Sequence, residues 1–291
     1  MSTENRESTT PGTTVLEARS VVVTAGKKTL VDGVDLQVRA GEVLGLIGPN
    51  GAGKSTLLSA LAGDRPPHSG SVELFGRPYS DYSPRQAARL RAVMLQDPTV
   101  SFAHLVRDVV EMGRAAWPGD PDRDAQIIDR CLAEVDMTGM ADREITTLSG
   151  GERARVALAR VLAQTADCVM LDEPTAAMDI GHSERTMHTV RRVAGEGAGV
   201  VVVLHDLGTA AKYCDRLALL HAGRIFDVGT PEEVCTEDTL SHVYGWPISV
   251  THHPATSAPG TGHTVADDGG GANPSGGRPV LWIRPRDERR P

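Results

Sequence analysis

The sequence predicts an α/β fold built on a parallel sheet, and three stretches carry that expectation. Val43–Ile47 is an apolar run that leads into a glycine-rich loop and then an apolar helical stretch. Cys168–Leu171 is a second run, closed by Asp172, and Val200–Leu204 is a third, closed by His205. Short apolar runs without polar alternation suit strands covered on both faces, as parallel strands between helices are. Their alternation with helical stretches from residue 13 to about 250 is the α/β pattern.

The bulk properties agree. The 291 residues (30.9 kDa) are 40% hydrophobic and 23% charged, a globular balance in a chain long enough to bury a core without staples. No run approaches the roughly 18 apolar residues that span a bilayer. The polar N-terminus lacks the basic-then-apolar order of a secretory signal, so a soluble, cytoplasmic protein is expected. A net charge of −8 speaks against a general nucleic-acid binder, whose phosphate contacts need clustered cations. The four cysteines form no C-x-x-C pair, which suits a reducing compartment better than a zinc site or disulfide framework.

In chain order, residues 1–12 read as a disordered polar leader. Val43–Ile47 then feeds Gly48-Pro49-Asn50-Gly51-Ala52-Gly53-Lys54-Ser55-Thr56, which is G-x-x-x-x-G-K-[ST] between a strand and a helix. Small residues let successive backbone N–H groups turn inward onto phosphate oxygens, and the helix that begins near Lys54 aims its positive end at the same anion. Lys54 is placed to reach the β and γ phosphates and Ser55 to ligate Mg²⁺. On this composition the pattern arises by chance roughly 0.006 times per chain, so the match is informative.

Ala92–Leu95 reads as a strand followed by Gln96. A helical insert then runs to Leu148-Ser149-Gly150-Gly151-Glu152, where Ser149 is a good N-cap for a helix over Arg153–Ala163 and the glycines admit an anion. One nucleotide already has a loop, so a second anion site facing elsewhere suggests a nucleotide held between two copies of the chain. The strand ending at Asp172 places a carboxylate at the mouth of the sheet for Mg²⁺, with Glu173 beside it to accept a proton from water. His205, at the next strand end, stands where developing phosphate charge would need stabilising. Residues 251–291 hold 7 Gly and 6 Pro and read as a flexible tail, with Val280–Ile283 as an apolar patch inside it. The tail histidines, His252 and His253, lack further ligands for a metal.

Gly48–Thr56, Gln96, Leu148–Glu152, Leu171–Pro174, Asp179 and His205 stand in the order and approximate spacing of the ATP-binding subunits of ABC transporters, which residues 13–250 resemble. The resemblance implies a P-loop NTPase of the ABC ATPase type: a RecA-like core, an antiparallel β subdomain and a helical subdomain over about 97–160. It implies that Gln96 contacts Mg²⁺ and water, that Ser149, Gly150 and Gly151 bind the γ-phosphate of ATP held by the other copy, that Asp179 crosses the dimer seam and that His205 contacts the γ-phosphate. Glu173, His205, Gln96 and Lys54 form the implied catalytic set; Ser55, Gln96 and Asp172 the Mg²⁺ set. A homodimer is implied, on the cytoplasmic face of the membrane, serving two permease copies and indirectly an extracytoplasmic substrate-binding protein.

The insert, from Leu95 through Arg114, is similar to that of importers of haem, iron–siderophores and vitamin B12. Gly76-Arg77-Pro78, Tyr82-Ser83-Pro84, Ser101-Phe102 and Leu158–Gln164 are most similar to the haemin-import ATPases, although Ala103-His104 departs from their run after Phe102. Siderophore and cobalamin importers remain alternatives, as does a non-transport ATPase of the same family. Met178 stands where the family usually has leucine, a volume-conserving change. The aromatic residue that often stacks adenine in the family falls by count near Thr24-Ala25, where none is present. Weak base selectivity is therefore expected.

Overall fold

The chain opens with two long strands, β1 (Thr14–Ala25) and β2 (Lys28–Arg39), which reverse at Gly26-Lys27 and pair antiparallel. The structure, a computed structural model, describes residues 10–95, 103–253 and 280–286. Beyond β2 lie β3 (Val43–Ile47) and α1 (Lys54–Leu61), β4 (Ser69–Leu74) and β5 (Arg77–Pro78), and α2 (Pro84–Leu90) and β6 (Arg91–Met94). The helices α3 (Val106–Glu111), α4 (Pro121–Glu134) and α5 (Gly150–Ala163) follow, then β7 (Cys168–Asp172), α6 (Ile180–Gly195) and β8 (Gly199–Val203). The last part comprises α7 (Leu207–Tyr213), β9 (Arg216–His221), β10 (Arg224–Gly229), α8 (Pro231–Val234), α9 (Glu237–Tyr244), β11 (Ile248–His253) and β12 (Val280–Pro285).

Two sheets are built from β1 to β10. One is four-stranded and antiparallel, in the order β2-β1-β4-β5; the other is six-stranded, in the order β10-β9-β3-β8-β7-β6, parallel except where β10 turns back on β9. Every residue of β3, β7 and β8 is buried, which is why these strands read as unbroken apolar runs. Their side chains still alternate between two cores. Val43 and Ile47, Val169 and Leu171, and Val200 and Val202 join the core shared with α3, α4, α5 and α6. Leu44 and Leu46, Cys168 and Met170, and Val201 and Val203 join the core shared with α1 and the antiparallel sheet. The parallel sheet is thus the middle layer of three.

The helices between residues 106 and 163 are tied to one another by buried polar contacts. Arg114, buried just beyond α3, pairs with Asp124 of α4 at 2.7 Å and donates to the Ala163 carbonyl at the end of α5. Trp117 Nε1 donates to the Gln164 carbonyl at 2.9 Å.

Two sequence expectations change. The helix expected from Arg153 begins at Gly150, because Ser149 and Glu152 form a reciprocal capping box that folds both glycines into the first turn. Two parts of the tail expected to be flexible over 251–291 are strands instead, since β11 extends to His253 and β12 returns to pair with it. Leu281 is only 5% exposed and belongs to the main core, Arg286 N donates to the Pro247 carbonyl at 2.8 Å, and the Arg286 guanidinium pairs with Glu237. That docking is non-local, so glycine and proline content did not signal it. Gln96, Ser101, Phe102, residues 1–9 of the leader, and 254–279 and 287–291 of the tail lie outside the described residues.

Candidate active site

The strand register brings the predicted residues together. Leu46 of β3 and Asp172 of β7 both stand level with Val203 of β8, so three adjacent strands end at one height. Gly48, Glu173 and His205 leave those ends, at the edge where open α/β sheets bind ligands. Backbone bonds from Leu204 N to Leu46 O and from Glu173 N to Val203 O, each 3.2 Å, carry the alignment past the strands.

The loop from Gly48 to Gly53 is held from outside. Gly48 has φ +141°, and a Cβ there would lie 2.2 Å from the Leu220 carbonyl oxygen, so only glycine fits. Gly223, at the β9–β10 turn, donates to the Ala52 carbonyl at 2.9 Å. Tyr244, at the end of α9, is hydrogen-bonded to the Gly48 backbone, and burial pushes its hydroxyl up to about 12. Sequence reasoning missed Tyr244, and nothing in its local pattern marks it. Lys54 opens α1 and is only 6% exposed; its Nζ donates to the Gly48 and Pro49 carbonyls at 2.8 and 3.1 Å. Burial lowers its pKa, against the raising effect of Glu173 and Asp172. The first N–H groups of α1 have no partner within the helix and face an anion's position in this loop.

Asp172 is buried, and its Oδ1 has no hydrogen-bond partner. Burial raises its pKa, and a hydrogen bond from Ser55 opposes that shift. An orphaned carboxylate oxygen beside a hydroxyl fits a hard divalent cation such as Mg²⁺. Among the described residues no group of three or more His, Cys, Asp or Glu gathers to hold a metal, so phosphate oxygens and water would complete the shell. Glu173 has φ +52°, and four residues on Ala177 has φ +61°; both are left-handed conformations that a side chain adopts at a cost. The turn directs Glu173 toward His205, whose Nε2 hydrogen-bonds Glu173 Oε1.

The remaining predicted residues form a second group. Ser149 Oγ accepts from Glu152 N, and the Ser149 N–H donates to the Glu152 carboxylate at 2.7 Å, which lowers the pKa of Glu152. Asp179 caps α6: its carboxylate accepts from His182 N at 2.8 Å, which lowers its pKa, and lies 2.8 Å from His182 Nδ1. The two helix starts meet through Gly151, where a Cβ would lie 2.8 Å from the Ala177 carbonyl oxygen. Ser149, Gly150 and Asp179 are exposed, and Ile180 beside Asp179 is 84% exposed. The structure thus gathers Lys54, Ser55, Asp172, Glu173 and His205 at one edge of the sheet and leaves Ser149, Gly150 and Asp179 exposed.

At the β1–β2 turn, Ala25 is exposed and Thr24 partly so, opposite Lys28 and Thr29. The described tyrosines serve elsewhere: Tyr79 and Tyr82 donate to the Leu61 and Leu74 carbonyls, Tyr213 meets Glu184, and Tyr244 meets Gly48.

Comparison with known proteins shows the family and the fold. The family described as ABC transporter matches residues 31–176. The hemin import ATP-binding protein HmuV of Streptomyces coelicolor is 51% identical over 250 residues, covering 85% of this chain and 89% of that protein. The protein of the same name from Rhodococcus jostii is 49% identical over 249 residues, covering 85% of each. Among solved structures, a dimeric bacterial ABC transporter cassette matches with TM-score 0.67 at 25% identity, over 74% of this chain and 98% of that one. No helix among the described residues is long and apolar enough to cross a membrane.

Proposed function

The chain belongs to the ATP-binding subunits of ABC transporters, and on that premise we propose that it powers haem import, with ATP hydrolysed between two copies of the chain bound to a membrane permease. One observation carries the reading: a hydrogen-bonded Glu173–His205 pair stands at adjacent strand ends beside Lys54, in a chain half identical to a hemin-import subunit.

Each residue's role follows from its position. Lys54 exchanges the Gly48 and Pro49 carbonyls for β- and γ-phosphate oxygens, and the loop residues Gly48, Pro49, Asn50, Gly51, Ala52, Gly53 and Thr56 wrap the phosphates. Ser55, Asp172 and Gln96 would hold Mg²⁺, which when bound neutralises phosphate charge. Glu173 takes a proton from water as the water oxygen bonds to the γ-phosphorus. The bond from that phosphorus to the β–γ bridging oxygen breaks, its electron pair leaves with ADP, and inorganic phosphate is formed. His205 orients Glu173 and reaches the γ-phosphate. Ser149, Gly150 and Gly151 of one copy bind the γ-phosphate held by the other, and Asp179 lies across the seam; their outward position supports this arrangement. Positioning and charge neutralisation account for most of phosphoryl-transfer catalysis, which this residue set can supply.

The permease docks on the helical region after Gln96, at the cytoplasmic face, and a substrate-binding protein delivers cargo to its other side. Growth tests the proposal. A strain lacking the gene should fail on haem as sole iron source and be rescued by the wild-type copy, not by Glu173→Gln. Normal growth on haem with failure on a siderophore would keep the engine and overturn the cargo.

A further inference from the structure

Away from the phosphate loop, at the opposite end of the sheet where β6 and β7 begin, a groove of about 830 Å³ runs between α4 and the core. That volume lies within the range of small-molecule sites. Its floor is apolar, with Leu90, Ile127, Leu162 and Val193 contributing.

The groove's rim is basic on an acidic chain. Four arginines (Arg89, Arg123, Arg130 and Arg192) face three carboxylates (Glu134, Asp167 and Glu196), a surplus of one positive charge where the whole chain carries −8. Two of those carboxylates, Glu134 and Glu196, share the one guanidinium of Arg192. Arg89 and Arg130 meet no carboxylate among the described residues. Arg89 Nε donates to the Ala116 carbonyl at 2.8 Å, and its guanidinium lies 5.4 Å from the centre of the Trp117 ring at the groove's edge. Arg130 lies exposed one turn beyond Ile127.

The geometry points to a binding site for an amphipathic carboxylate, with its apolar body on the Leu90–Leu162 floor and its acid groups on Arg89 and Arg130. Two sources share that chemistry, a porphyrin bearing propionates and a long-chain fatty acid. Choosing the porphyrin as first probe rests on the haem reading above; the site itself does not. Occupancy would reach the nucleotide machinery. One wall is α4, the other is built from β7 and α6, and the Arg192–Glu134 pair spans them. Leu162 on the floor lies near the C-terminal end of α5, the helix that starts at Gly150 behind Ser149. A ligand fixing those walls gives the imported product a route to slow hydrolysis.

Titration of the full chain with protoporphyrin IX, followed by its absorbance, tests the site, with palmitate measured in parallel by calorimetry. Saturable binding of one equivalent is expected for the carboxylate source that fits. Arg130→Glu, an exposed substitution outside the nucleotide pocket, should weaken it tenfold or more and leave basal ATP hydrolysis unchanged. Arg89→Ala should weaken it similarly. Porphyrin binding lost in Arg130→Glu supports the porphyrin source, and palmitate binding lost in the same way supports the fatty acid. No saturable binding of either, or equal affinity in Arg130→Glu and wild type, overturns the site. Normal growth of the deletion strain on haem, with Arg130-dependent binding intact, would remove the cargo reading and leave the site standing.

Discussion

Replacing Asp172 by asparagine should stabilise the nucleotide-free chain and abolish its hydrolysis, and both effects have one cause. The carboxylate is buried at the end of β7 with Oδ1 unpartnered, and burial raises its pKa. A buried polar atom left without a partner costs about 1–3 kcal/mol, more when charged. Asparagine keeps the shape and an oxygen for Ser55, and its amide nitrogen is still unpartnered, so the expected gain of about 1–3 kcal/mol comes from removing the buried charge alone. At about 2–4 °C per kcal/mol for a large domain, Tm should rise by roughly 2–12 °C. The pH dependence follows from the direction of the shift. Below the ordinary aspartate pKa the group is neutral in both folded and unfolded chains, so variant and wild type should agree. As pH rises, the unfolded chain releases its proton first, the wild type loses stability until the raised native pKa is passed, and the gap then stays constant. Scanning calorimetry in EDTA across that range measures this, and a second scan with Mg-ATP should stabilise wild type far more than the variant. A lower Tm for Asp172→Asn in EDTA would refute the reasoning, because the carboxylate would then be satisfied without a cation.

Three other outcomes are expected. Ala25→Tyr should supply the missing base platform, and stacking worth about 1–3 kcal/mol lowers the KM for ATP by about 5- to 150-fold; an unchanged KM would place the base elsewhere. Gly151→Ala puts a Cβ 2.8 Å from the Ala177 oxygen and displaces the segment ahead of Asp179; at about 1–3 kcal/mol of overpacking, kcat should fall about tenfold while a single chain's ATP affinity, read by fluorescent-nucleotide binding, stays unchanged. Leu281→Ala removes the buried anchor of β12 and should cost about 2–5 kcal/mol, seen as lost hydrogen-exchange protection in β11 and β12, with the centre of β3 and β8 unaffected.

Legibility in the sequence followed how local the cause of each element is. Strands β3 and β7 sit where the apolar runs put them, because a strand buried on both faces needs apolar residues throughout and tolerates no alternation. The long β1–β2 pair was harder to read. Ser20 adopts φ +48°, and the register shifts at several points, so burial does not keep a clean period of two. Strand β12 was hidden by the composition of the segment around it, since its five-residue core Val-Leu-Trp-Ile-Arg is stabilised by β11 and α7 rather than by its neighbours in sequence. In the site, residues marked by a motif were named in advance, whereas Tyr244 acts through a contact nearly two hundred positions from Gly48.

On the proposed arrangement a single chain leaves the site half built, and the second group of residues supports that arrangement. Helix α5 begins with two glycines and α1 follows Gly53, and both starts carry N–H groups with no partner inside the helix, yet their surroundings differ. At α1 the anion position is enclosed, with Lys54 buried and the loop held from three sides by Leu220, Gly223 and Tyr244. At α5 the capping box already satisfies the Ser149 oxygen, both glycines pack toward Ala177, and the rest of the turn is open to solvent beside exposed Ile180. An exposed helix start binds phosphate weakly in water, because the dipole's contribution there is only about 0.3–1 kcal/mol. Desolvation by another surface would strengthen it, and a second copy's enclosed phosphate would provide both that surface and the anion. Close approach of Gly151 to the Ala177 segment ahead of Asp179 would then make closure of one site depend on the position of the other, as the proposed two-chain arrangement requires.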